Sequence, residues 1–90
     1  MPRPRRDPPN TSTDDWANSP CADPVAEVMR QVAANLRAEI GDRSLRSVAR
    51  QTGVPHAVIS IILSGSAWVE AATVARLEVS MVTALWPIQE

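Results

Sequence analysis

Residues 45–64, LRSVARQTGVPHAVISIILS, leave the chain few ways to fold. Gly53 follows Ala49 by four residues, where a helix would have to turn, and glycine adopts positive φ without a Cβ clash. Pro55 biases Val54 away from helical angles, so a helix entering from Leu45 cannot run through. Proline is tolerated at the start of a second helix, where its missing N–H costs nothing. Val54, apolar and inside the turn, is placed to plug the space between the two segments. Ile59 and Ile62, three apart, share one face of the second helix. Ser44 supplies a hydroxyl N-cap for the first. Two short helices, Leu45 to Thr52 and about Pro55 to Leu63, are therefore expected to cross closely around a tight turn, the pattern of a helix-turn-helix.

These residues resemble the DNA-binding core of the Xre/Cro family, the lambda-repressor-like domains. The matching positions are Val48, Ala49, Gly53, Val54, Ile59, Ile62 and the closing Ser64-Gly65, and the likeness extends over roughly residues 24–87. The downstream run TVARLE and the ending ALWP further resemble immunity repressors of actinobacterial phages. The resemblance implies an all-α, lambda-repressor-like bundle of four to five short helices.

The rest of the chain is consistent with one small domain. Its length is 90 residues, and 44% of them are apolar. That is enough for a core near the lower size limit. Phe and Tyr are absent, so Leu, Ile, Val, Met and three Trp must fill it. Asp23-Pro24 reads as an N-cap followed by proline at N1. Val25, Val28, Met29, Val32, Leu36 and Ile40 then recur at spacings of three and four, an amphipathic helix ended by Gly41. A further helix is expected from Glu70 or Ala71, with Val74, Leu77, Met81 and Leu85 as its core stripe. Ala75, Val79, Val82 and Trp86 form a second stripe. A break near residues 80–83 would divide this run into a fourth helix and a short fifth, and Pro87 ends it. Residues 1–23 hold five of the eight prolines and show no apolar period. They read as a flexible arm, disordered or loosely attached. Trp16 is the odd member there, and is expected to dock back onto the domain, residues 24–87.

Charge is unevenly distributed. The formal net charge is −1, yet residues 43–69 carry three Arg and no acid. A positive field is thus placed on the turn and its flanking helices, where phosphate attraction would need it. Arg3, Arg5 and Arg6 lie in PRPRR, which has the composition of a minor-groove arm; the plainer reading is a solvated charged tail.

Catalysis has little support. His56 is the sole histidine and Cys21 the sole cysteine, and they fall on different segments. No nucleophile, base and orienting acid occur at workable spacing, and the three glycines form no phosphate loop. One thiol and one distant histidine make neither a disulfide nor a zinc site, so no metal or cofactor is expected. No apolar run approaches the ~20 residues that span a bilayer, no signal peptide is evident, and a reducing cytoplasm is the default compartment.

If Ile59 and Ile62 face inward, then His56, Ala57, Ser60 and Ile61 face outward near the start of the second helix, and by resemblance these are the base-reading positions. None is Arg, Asn or Gln, so no two-bond match to guanine or adenine is available. His56 and Ser60 offer single hydrogen bonds, and Ala57 and Ile61 offer contacts to thymine methyls. Arg43, Arg46, Arg50 and Ser64 are the phosphate candidates. Each arginine can equally be a solvated helix face. Val79, Val82 and Trp86 are the candidate surface for a homodimer, which would suit a two-fold operator. The expected function is sequence-specific binding of double-stranded DNA in transcription control, as a phage repressor of lysogeny or a Cro-like protein, with no small-molecule ligand evident. The alternative is a helical protein–protein module, such as an anti-repressor or antitoxin.

Overall fold

In the computed structural model, which describes residues 7–87, the chain forms a 3-10 turn, Pro9–Ser12, and four helices: α1 (Pro24–Ile40), α2 (Leu45–Thr52), α3 (His56–Ser64) and α4 (Ala71–Met81). No strand occurs among the described residues. Each helix end has a local cause. The Asp23 carboxylate accepts from the Val25 N–H at 3.0 Å and the Ser44 hydroxyl from the Ser47 N–H at 3.1 Å, each satisfying a donor that the first helical turn leaves without a partner. Pro55 is the N-cap of α3, so the helix begins one residue later than expected and runs one further, to Ser64. α2 ends on Gly53 at φ 76°, ψ 4°, in the left-handed region that glycine enters freely. The Thr52 hydroxyl is buried but satisfied: it donates to the Val48 carbonyl and accepts from the Val54 N–H.

The core is built from one face of every helix. Val32, Leu36 and Ile40 of α1 meet Val48 of α2, Ile59 and Ile62 of α3, and Val74, Leu77 and Met81 of α4, with Val54 buried in the turn. α3 packs on both α1 and α2, and α2 also packs on α4. The first turn of α1 departs from the expected stripe. Val25 is exposed and Val28 and Met29 are only half-buried, whereas Ala26 is buried. The reason is that the 3-10 turn lies against α1, and a methyl side chain permits that approach.

Residues 7–23 differ from the flexible arm expected of them. Pro9 is buried, the Ser12 hydroxyl accepts from the Asp23 N–H at 2.8 Å, and Trp16 packs against the core. The Trp68 indole N–H donates to the Asp7 carbonyl at 2.7 Å. Proline and small polar residues carry no apolar period, but here their backbone and side-chain donors find partners on the domain. The remainder of the expected arm, residues 1–6 with Arg3, Arg5 and Arg6, lies outside the described residues.

One carboxylate of α1, itself paired with Arg30, fastens this segment to the helix. The Glu27 carboxylate accepts from the Arg30 guanidinium at 2.7 Å on each oxygen, from the Cys21 N–H at 2.8 Å and from the Gln31 amide at 3.0 Å. The Arg30 hydrogen bonds chiefly, with those from Cys21 and Gln31, hold the Glu27 pKa down to about 2 from its ordinary 4.5, against the opposing effect of burial. A carboxylate whose folded pKa is depressed stabilises the fold above its unfolded value. That stability is lost as pH falls from about 4.5 toward 2. For a pair at the rim of the domain we expect on the order of 1–2 kcal/mol. Glu27→Gln should therefore flatten the acid limb of a stability-versus-pH curve in that window; an unchanged limb would contradict the assignment.

The α4 run ends without a fifth helix among the described residues. Val82 takes φ 53°, ψ 49° and is 90% exposed. Beyond it the Glu78 carboxylate accepts from the Leu85 N–H at 2.7 Å and the Trp86 N–H at 3.2 Å, and the Asn35 amide donates to the Leu85 carbonyl at 2.8 Å. Side chains thus replace the helical hydrogen bonds, and Leu85 is buried. A β-branched residue in the left-handed region is strained by roughly 1–2 kcal/mol. Val82→Gly relieves this while giving up almost no burial, and is expected to stabilise the monomeric fold by about 1 kcal/mol, net of glycine's entropy. Thermal melts of the two proteins check it; a lower melting temperature for the glycine variant would show that Val82 has a contact in solution.

Candidate nucleic-acid interface

Among the described residues, the α2–turn–α3 unit combines exposure, positive charge and short polar side chains. Arg46 and Arg50, one helical turn apart on α2, and His56, the first residue of α3, line a single open depression with Ala49 and the turn residues Gly53, Val54 and Pro55. All three side chains are exposed. The depression exists because Gly53 and Pro55 turn the chain sharply enough to bring the start of α3 beside the middle of α2. No carboxylate lines it.

The four candidate base-contacting residues do not stand equally. His56, Ala57 and Ser60 are exposed, while Ile61 is half-buried, its side chain partly withdrawn between the outer face and the core. Burial of Ile59 and Ile62 sets this orientation. The Ser64 hydroxyl donates to the Ile61 carbonyl at 3.3 Å and lies 3.0 Å from the Ser66 hydroxyl. It is exposed, but sits at the opposite end of α3 from His56.

Arg43 is also exposed, yet its guanidinium is engaged within the fold. It donates to the Gln51 side-chain oxygen at 2.6 Å and to the Ile40 and Glu39 carbonyls at 3.3 and 3.2 Å. A cation at the last carbonyls of α1 also opposes the negative end of the helix dipole. Gln51 in turn donates to the Ser80 carbonyl at 3.4 Å, so Arg43 ties α1 to α2, and Gln51 ties α2 to α4. Charge in the sequence cannot separate a phosphate ligand from a carbonyl clamp. Arg37 behaves similarly, donating to the Leu63 carbonyl of α3 at 2.9 Å.

On the far side, Val79 and Val82 are 79% and 90% exposed, whereas Trp86 is half-buried and packs against the core. The three do not form one free apolar surface. Cys21 and His56 remain on separate segments. Burial, and then the Glu27 carboxylate, push the Cys21 thiol up, which keeps it protonated and a poor nucleophile at neutral pH.

No family model matches the chain, and comparison with curated proteins and with solved structures finds no match. Among the described residues no helix is long and apolar enough to cross a membrane.

Proposed function

We propose that the protein is a sequence-specific DNA-binding regulator with a lambda-repressor-like fold, in which α2 and α3 form the helix-turn-helix and α3 enters the major groove. A phage repressor or Cro-like role is the specific form of this reading, and it rests on the sequence resemblance. The observation that carries the proposal is the depression shared by Arg46, Arg50 and His56. It joins two exposed guanidinium groups, neither with a hydrogen bond or ion pair among the described residues, to the N-terminal end of α3, the end that reads base edges in helix-turn-helix proteins. Arg46 and Arg50 contact phosphates. His56 and Ser60 supply polar readout, and Ala57, with the accessible part of Ile61, meets thymine methyls. Arg43 has a first role in holding α1 and α2 and joins the phosphate contacts only through its remaining N–H donors. Because single bonds discriminate less than bidentate pairs, worth about 1–3 kcal/mol each, sequence-dependent DNA shape carries part of the specificity.

A second reading is a helical protein–protein module such as an anti-repressor or antitoxin, and the exposed Val79 and Val82 favour it. A gel shift of the full chain against fragments of the host genome at low salt separates the two. Discrete complexes with a subset of fragments support DNA recognition; no retarded species at micromolar protein favours the alternative.

A further inference from the structure

α3 is held at its C-terminal end by residues that precede α1. A helix leaves its last four carbonyls without internal partners, and in α3 these are Ile61, Ile62, Leu63 and Ser64. The Gly65 N–H serves the first two, at 2.9 and 3.3 Å. The other two are served from outside. The Trp16 indole N–H donates to the Leu63 carbonyl at 3.1 Å, beside Arg37, and the Asn10 amide donates to the Ser64 carbonyl at 3.1 Å. The Asn10 backbone N–H adds a bond to the Gly65 carbonyl at 3.0 Å. The Trp16 ring also lies where a side chain at position 65 would stand: a Cβ built on Gly65 would fall 2.6 Å from its Cδ2 and Cζ2 atoms. Gly65 is buried under that ring.

The geometry points to Trp16 and Asn10 as positioning residues for α3: the N-terminal segment is a strap that fixes the pose of the recognition helix, and the specificity of the surface carrying His56, Ala57 and Ser60 depends on it. The consequence for DNA rests on the proposed function; the positioning itself does not. α3 has nine residues, too few to keep its own geometry in water, and helices this short take their order from tertiary contacts. Its N-cap, Pro55, makes no side-chain cap bond, so the side chains that cap α3 act at the strap end. Contacts to base edges tolerate little misplacement, so a small tilt of α3 would weaken readout at several positions together while leaving Arg46 and Arg50, on α2, free to hold phosphates.

The test uses the full chain with Trp16→Ala, Trp16→Phe and Asn10→Ala, read first by amide hydrogen exchange without DNA. Trp16→Ala should speed exchange in α3 by about tenfold or more, with α1, α2 and α4 little changed; a merely structural loss would speed exchange in all four. Trp16→Phe should restore most of the protection, because the ring still covers Gly65 and Arg37 still serves Leu63. Asn10→Ala, the milder change, should act in the same direction as Trp16→Ala and remains informative if that variant fails to fold. Selection from a randomised duplex pool should then give Trp16→Ala a weaker motif than wild type at an unchanged salt slope. Protection of α3 equal to wild type in both alanine variants would overturn the proposal. Faster α3 exchange with no motif for any protein would uphold the strap and remove the DNA reading instead.

Discussion

Arg46→Ala with Arg50→Ala is expected to reduce the slope of log affinity against log salt by about 1.8, since each phosphate contact on duplex DNA contributes about 0.9. At roughly 0.1 M salt this corresponds to about 10–100-fold weaker binding. The effect should appear on specific and unrelated DNA alike, because phosphate contacts position without reading sequence. Among the described residues neither guanidinium has partners like those of Arg43, so the double variant should melt close to the wild type. Arg43→Ala offers the contrast. It removes hydrogen bonds to Ile40, Glu39 and Gln51, and should lower stability before it alters the salt slope. Fluorescence anisotropy over a salt series, paired with thermal melts, measures both quantities. An unchanged slope for the double variant would remove these arginines from the interface.

The largest stability effect is expected at Gly65. Its φ of 67° strains any L-residue, and the Trp16 ring occupies the space a methyl would need. The first term is roughly 1–2 kcal/mol and overpacking adds roughly 1–3 kcal/mol, so Gly65→Ala should cost about 2–5 kcal/mol. In a domain of this size each kcal/mol lowers the melting temperature by about 4–8 °C. Gly53→Ala is the control: its φ is also positive, at 76°, but nothing stands within 4 Å of the position a Cβ would take. It should show the conformational cost alone. Trp16→Ala in the Gly65→Ala background should cost less than the two single changes summed, because the clash is removed with the ring. Additive losses would mean that Trp16 and Gly65 do not meet in solution.

Helix ends were readable from local chemistry. Asp23 before Pro24, Ser44, and the glycines at 41, 53 and 65 act within one turn of where they stand, and the structure uses each at the end its residue type implied. The strap was not readable for the opposite reason. Its decisive bonds, from Asn10 to Ser64 and from Trp16 to Leu63, join residues 54 and 47 positions apart. A proline-rich polar segment has no periodicity to announce them; the isolated Trp16 was the only signal. At the other end, the stripe Val74, Leu77, Met81 and Leu85 is buried throughout, but Leu85 is reached by a turn and not by a fifth helix. A glutamate that caps backbone N–H groups seven and eight residues ahead is invisible to a helical period. Of the candidate interface, sequence located the exposed His56, Ala57 and Ser60 through their offset from Ile59 and Ile62. It could not see that Arg43 is turned toward carbonyls while Arg46 and Arg50 border the depression.

The central claim is that the exposed start of α3 reads DNA sequence. Binding selection from a randomised duplex pool, run with the wild type and with His56→Ala, tests it most directly. The account predicts an enriched motif for the wild type, and loss of preference at one position of it for His56→Ala, with affinity for unrelated DNA nearly intact. Identical motifs for the two proteins would show that His56 reads nothing, and no enrichment by the wild type would contradict the claim itself.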